Sequence, residues 1–280
     1  MNMFSISKGR GWYMSIFVIT HKYVEGAPVL DPSYKWLYVG GYRVEDHCKG
    51  YLYDNIGQDN ISIKNANFCE LTGLYWIWHN CNENIKGLVH YRRFFTKNVW
   101  SESEKFFYTG QEMDEMLKKY DMIVGDRRYF AYGNIANHYA RLHVGDDLEC
   151  VRMAIHRLFD GEYSEAFDIA FSKNYLFPYN MFVAPKEIFD SYAEWLFRVL
   201  FELERDIDFK KYNDYQARVF GFLSERLLNV WIIKNNIAFK ELPIIQIGTR
   251  VRYKIRTELE KTFKMPLDFL AKIDKMVEKL

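Results

Sequence analysis

Apolar positions along this chain follow two rhythms. Three short unbroken runs, residues 16–19, 87–89 and 122–124, read as strands buried on both faces, as strands of a parallel sheet are. Elsewhere apolar residues recur at three- and four-residue spacing, which predicts amphipathic helices. The first such stretch, residues 66–80, carries Phe68, Leu71, Leu74, Tyr75 and Trp78, with Asn65 or Asn67 as its cap and Glu70 in its first turn. Strand, loop, helix and strand in that order favour a parallel sheet with helices packed against it.

The rest of the chain is patterned less evenly. Residues 26–57, with Pro28 and Pro32, predict irregular chain with one short strand at 37–39. Residues 114–120 predict a short helix; a longer one starts near Asp146 and Asp147, which suit its cap, and carries Leu148, Val151, Ile155 and Leu158. Residues 175–184 predict a strand with Pro178 at its beginning, and the amide of Asn180 sits in that apolar run where it needs a partner. Two long helices follow over 186–204 and 212–234, the second with Asp214 and Gln216 at its start and with Glu225 and Arg226 interrupting its lining. After the break at Leu242 and Pro243, Arg250, Arg252, Lys254 and Arg256 form a basic patch, and Leu267, Leu270, Ile273, Val277 and Leu280 mark an amphipathic tail. The expected organisation is an extension over 1–13, with Met14 as the true start, an α/β domain over 14–245, and a helical C-terminal extension over 246–280.

Composition narrows the function classes. A formal charge of +1 spread over 280 residues gives no overall basic field, so nucleic acid is not the expected partner and any anion site must be local. Cys48, Cys69, Cys81 and Cys150 show no paired spacing, and no apolar run is long enough to cross a bilayer, which points to a reducing, cytoplasmic setting. Aromatic residues make up 18% of the chain; most are expected to fill the core, with stacking platforms for sugar rings or a uracil base as the functional alternative.

Chemistry gathers where the strand runs end. The first closes on Thr20, His21 and Lys22, the second on His90, Tyr91, Arg92 and Arg93, the third on Gly125, Asp126, Arg127 and Arg128. In open α/β sheets ligands sit beyond the carboxyl ends of the strands, and Arg is suited to forked contact with phosphate oxygens. Taken alone, Arg92 and Arg93 could equally be surface charges paired with neighbouring carboxylates.

Several motifs in sequence order carry a resemblance. The segments 59–65, with Asp59, Asn60, Lys64 and Asn65; 70–76, beginning at Glu70; 87–94, with His90, Tyr91, Arg92 and Arg93; Asp147 with Glu149; Tyr179 with Asn180; and 214–226, from Asp214 to Glu225 and Arg226, resemble the bacterial capsular and exopolysaccharide glycosyltransferases grouped as domain of unknown function 4422. The resemblance implies a GT-A-like (Rossmann-like) fold, with a mostly parallel sheet flanked by helices. It also implies transfer of a sugar, galactofuranose from a UDP-sugar being the first expectation, onto a growing, lipid-linked capsular or exopolysaccharide oligosaccharide. The nucleotide sugar and the oligosaccharide are then the partners, with peripheral contact to the inner face of the cell membrane through the basic tail. The alternatives are a noncatalytic nucleotide-sugar or carbohydrate-binding module and a nucleotide-sugar hydrolase.

The reaction assigns expected roles. Thr20, His21, Asp59, Asn60, Lys64, Asn65, Glu70 and Tyr91 are expected at the donor. Arg92 and Arg93 are expected to neutralise the diphosphate leaving group, with His90 beside them. Asp147, Glu149 and Asp214 are the candidates for the base, with His138 and His90 behind them, although Asp147 and Asp214 each have a claim as a helix cap; His138, Glu149, Tyr179, Asn180, Glu225 and Arg226 are expected at the substrate. Glu225 and Arg226, adjacent in a helix, are expected to point apart. Many GT-A enzymes hold a divalent metal, manganese or magnesium, with an Asp-x-Asp signature. His90 to Arg93 stand at the corresponding strand end here, so no metal ligands are assigned and a metal is admitted without being required.

Overall fold

The computed structural model describes residues 14–57, 59–130 and 133–249, together with residues 255 and 258. Its first strand, β1 (Met14–Thr20), is buried along its whole length and pairs in parallel with β2 (Tyr34–Tyr38) and β4 (Ile85–His90). β3 (Tyr51–Tyr53) adds in parallel to β2. Between β3 and β4 run two helices, α1 (Asn65–Phe68) and α2 (Leu71–Asn80). After β4 the chain forms β5 (Arg93–Phe95), α3 (Gly110–Leu117), β6 (Met122–Gly125), β7 (Arg128–Tyr129), α4 (Ile135–Leu142), α5 (Asp147–Phe159) and α6 (Ser164–Ser172). It closes with β8 (Tyr175–Leu176), β9 (Phe182–Pro185), α7 (Lys186–Asp206), α8 (Val219–Lys234), β10 (Phe239–Leu242) and β11 (Ile244–Gln246).

The main sheet has the order β10-β6-β9-β4-β1-β2-β3, and only β9 runs against both its neighbours. β5 and β11 form an antiparallel pair attached at the end of β4, while β7 and β8 make a separate two-stranded ribbon. The expected α/β architecture with a mostly parallel sheet flanked by helices is therefore present. Alternation on β1 shows why both faces are apolar: Phe17 and Ile19 face the layer made with α2, α5, α6, α7 and α8, whereas Ile16 and Val18 face Met113 of α3 and the aromatic residues Phe94, Phe95 and Phe107. Gly73 lets α2 press on the sheet, since a methyl there would lie 2.8 Å from Ile19 Cδ1.

Several sequence expectations change in ways that matter for the site. The helix expected over 66–80 is broken: Cys69 takes φ 52°, a value L residues rarely adopt, so α1 stops and α2 starts again after Glu70. Neither Asn65 nor Asn67 caps it. Asn65 donates from Nδ2 to the Cys69 carbonyl at 2.8 Å and so holds the kink, and Asn67 donates to the Ala217 carbonyl. The strand expected over 175–184 is two strands in different sheets, separated by Tyr179 and Asn180, both with positive φ. The segment 26–57 holds two strands rather than one; at three residues, β3 is too short to stand out in the pattern. The helix expected from 212 begins only at Val219, which leaves Asp214 in an exposed loop. Residues 1–13 and the basic residues Arg250, Arg252, Lys254 and Arg256 lie outside the described residues, as does the tail from 259 onward. No helix among the described residues is long and apolar enough to cross a membrane.

Candidate functional site

Parallel strands β1 and β4 end side by side, and the residues just beyond their ends meet. His21 and Tyr91 pack edge to face at 5.5 Å, with Lys22 and Arg92 each over the Tyr91 ring, at 5.5 and 5.3 Å. β4 then reverses: His90 pairs with Arg93, so Tyr91 and Arg92 form the turn and β5 runs back. The turn is pinned on both sides, by Tyr91 N–H donating to the Ile19 carbonyl and Ile247 N–H donating to the Arg92 carbonyl. Arg92 is thus carried by a hydrogen-bonded turn rather than by a free loop.

The second support is the pair Tyr179 and Asn180 just before β9. Their left-handed backbone conformation is disfavoured for side chains other than Gly, Asn and Asp, and each is tied down by polar contacts. The Tyr179 carbonyl accepts from His90 Nε2 at 2.7 Å, which places the imidazole hydrogen on that nitrogen. Its ring lies 4.1 Å under the Arg93 guanidinium, and its hydroxyl accepts from Arg128. Arg93 also donates from Nε to Gln246 Oε1 on β11 at 3.2 Å. Asn180, fully buried, donates from Nδ2 to Glu70 Oε1 and to Ser224 Oγ, each at 2.8 Å, and so joins α2, β9 and α8.

These links bring two carboxylates into one electrostatic neighbourhood with the arginines. Burial raises the proton affinity of Glu70, opposed by the amide of Asn180 and by Arg218 and Arg93. Burial raises that of Glu225 as well; Arg226 opposes this and Glu70 reinforces it. His90 is pushed down to about 4, first by burial and then by Arg93, so it is a neutral hydrogen-bond donor near pH 7. His138, stacked on Phe130 at 4.0 Å, is pushed down to about 4 by burial and by Arg226. Glu225 and Arg226 do touch, against expectation: the Arg226 guanidinium folds back along α8 to reach Glu225 Oε2 at 3.2 Å and the Phe222 carbonyl at 2.7 Å.

Other residues singled out from sequence go elsewhere. Asp147 is buried and receives two phenols, Tyr139 at 2.8 Å and Tyr212 at 2.6 Å, so both its oxygens are occupied; it reaches the strand-end cluster only through Tyr139, whose ring lies 5.3 Å from Arg226. Glu149 is exposed on α5 and Asp214 is exposed in its loop. Asp59 accepts from Tyr75 and its carbonyl accepts from Asn80, beside the end of α2 that leads into β4. α2 is ten residues and so about 15 Å long, which sets Asp59 and its neighbour Asn60 far from Glu70 and the arginines. Lys64 pairs with Glu204 of α7, and Thr20 turns its hydroxyl onto the Lys22 carbonyl at 2.6 Å.

Three residues at the cluster lie outside the set expected at the site from sequence. Arg218 donates to Cys69 Sγ at 3.2 Å and lies within the electrostatic reach of Glu70 and His21; Ser224 holds Asn180; Gln246 holds Arg93. Arg218 and Ser224 lie within the 214–226 motif, the signal that could have found them, whereas Gln246 lies outside every motif. The third strand end divides: Arg127 is an ion-pair partner of Glu241 at 3.0 Å, whereas Arg128 reaches Tyr179. The strand end presents His90, Tyr91, Arg92 and Arg93, and among the described residues no three His, Cys, Asp or Glu side chains are grouped to hold a metal ion by themselves.

A strand-end cluster of arginines, a neutral histidine and carboxylates whose proton affinity burial raises can bind a polyanion and move a proton beside it. The fold has a solved relative, the apo structure of the WbbM bifunctional glycosyltransferase, which matches with a TM-score of 0.75 and 29% identity over 84% of this chain. The match spans 45% of the WbbM chain. No curated protein sequence matches. The model of the family described as "Domain of unknown function (DUF4422)" matches residues 15–236, most of the chain and every element from β1 to α8, and the chain belongs to that family.

Proposed function

We propose that this chain transfers a glycosyl group from a nucleotide-sugar donor to a hydroxyl of a growing polysaccharide oligosaccharide. The donor in this reading is a UDP-sugar, with galactofuranose as the first candidate sugar, and the acceptor is lipid-linked. One observation carries the proposal: Arg93, fixed by Gln246 and stacked on Tyr179, stands with Arg92 where β1 and β4 end. A diphosphate bound at that edge would meet a planar, forked cation that needs little reorganisation as the leaving group gains charge. The bifunctional glycosyltransferase relative supports the transferase class.

The test is calorimetry with UDP, UDP-galactose, UDP-galactofuranose and a GDP-sugar, with and without manganese, followed by a transfer assay. Selective UDP-sugar binding is expected. Arg93→Ala should lower turnover on the order of 100-fold or more, as losses of about 2.7–4 kcal/mol from one preorganised contact imply. Arg93→Lys should not restore it, since an ammonium can neither fork nor stack on Tyr179 as the guanidinium does. Full turnover in Arg93→Ala, or manganese-dependent binding unaffected by that change, would refute the proposal.

A further inference from the structure

We propose that Glu225 is the catalytic base that takes the proton of the acceptor hydroxyl, an assignment that rests on the transferase reading above. The geometry singles it out among the carboxylates of the family-like motifs. Asp147 has both oxygens filled by Tyr139 and Tyr212, Glu70 is held by the amide of Asn180, and Asp59 lies by the far end of α2. Glu149 and Asp214 are solvated on the surface. Glu70 likewise has one oxygen held by a single side chain, so what sets Glu225 apart is that its partner is the Arg226 guanidinium. Its side chain keeps 25% exposure, its Oε2 is steadied by Arg226 at 3.2 Å, and its Oε1 has no hydrogen-bond partner among the described residues. A hydroxyl can therefore approach Oε1 without displacing an internal bond.

Its position suits the chemistry. Glu225 follows Ser224, which is tied through Asn180 to Glu70, so the start of α8 is indexed to the strand end where Arg93 lies. The acceptor O–H gives its proton to Oε1, the oxygen electron pair forms the bond to the anomeric carbon, and the bond from that carbon to the phosphate oxygen breaks. The released pair leaves on UDP, whose added charge faces Arg93. Attack on the face opposite the diphosphate inverts the anomeric carbon. The groups facing Glu225 are Arg226 on its own helix, Cys69 and Glu70 at the α1–α2 break, His90 of β4 and Arg93 of β5. Burial and Glu70 raise its proton affinity and Arg226, His90 and Arg93 lower it, with a net rise, so it takes a proton more readily than an ordinary glutamate.

The experiment compares Glu225→Gln and Glu225→Asp with the parent full-length chain, in UDP binding, melting temperature and a transfer rate followed across pH. Glu225→Gln is expected to keep UDP binding and melting temperature, to lose at least tenfold in rate, and to lose the acid limb of the rate–pH profile. Glu225→Asp is expected to return part of the rate together with an acid limb. The assignment is overturned if Glu225→Gln stays within tenfold of the parent, if its acid limb persists, or if Glu225→Asp is as inactive as Glu225→Gln at an unchanged melting temperature. A parent chain that binds no UDP-sugar would instead overturn the transferase reading, so the two failures are read apart.

Discussion

Asp147 is where sequence and tertiary structure pull hardest in different directions, and replacing it separates them. It lies 2% exposed at the start of α5, and accepts the phenolic hydrogens of Tyr139 from α4 and Tyr212 from the segment before α8. Hydrogen bonds to a charged acceptor are worth about 1.5–3 kcal/mol each, so the two together hold about 3–6 kcal/mol before the cost of burying the carboxylate is counted. That cost is real, because burial raises the proton affinity of Asp147 even against both phenols. Removing the side chain relieves it by about 1–3 kcal/mol, leaving an expected net loss of about 0–5 kcal/mol, centred on about 2.5 kcal/mol, for Asp147→Ala. In a chain of this size that is a fall in melting temperature on the order of 5–10 °C. Asp147→Asn keeps one acceptor oxygen and should lose less. Urea denaturation gives the free energies, and the transfer assay run alongside should show Asp147→Asn retaining at least a third of parental turnover. A loss below about 0.5 kcal/mol in Asp147→Ala, or an Asp147→Asn protein that is stable and inactive, would refute the reasoning.

The remaining predictions concern stability. Lys86 is fully buried on β4, 4.9 Å from the centre of the Phe189 ring, and its ammonium pairs with Asp190 of α7. Lys86→Met alone should destabilise by about 1.5–3 kcal/mol, the worth of a hydrogen bond to a charged group, because Lys186 still pairs with the Asp190 carboxylate, and Lys86→Met combined with Asp190→Leu in a double-mutant cycle should show how far the two changes couple. His90, His138 and His143 are each pushed down to about 4, burial being the first cause for all three, so the folded protein holds them neutral while the unfolded chain protonates near 6.5. The unfolded state therefore binds more protons as pH falls, and melting temperature should decline steadily from pH 6.5 towards 4. Changing His90, His138 and His143 to Gln together should flatten that decline; an unchanged slope would show that carboxylates alone set it.

Much of the architecture was written in local pattern. Unbroken apolar runs marked β1, β4 and β6, three- and four-residue spacing marked α2, α5, α7 and α8, and the residues ending the first two runs marked the edge of the sheet that carries the cations. These features depend on neighbours within a turn or a strand, so they survive in a one-dimensional reading. The short strands β3, β5, β10 and β11 did not, because three or four residues are too few to show a period, and their pairing partners supply the reason they extend.

Long-range packing settled which polar residues meet. Asn180 and Glu70 lie 110 residues apart, His90 and the Tyr179 carbonyl 89, and Arg93 and Gln246 153, and no local rule couples positions so distant. The left-handed backbone at Cys69, Tyr179 and Asn180 was likewise invisible, since none is the glycine that usually announces it; surrounding contacts impose those conformations. Apolar periodicity alone carried the alternating layers and the identity of the strand-end cations. Convergence of Glu70, Asn180, Ser224 and Glu225 behind those cations had to wait for the packed sheet, because it is burial at long range that sets both their geometry and their proton affinity.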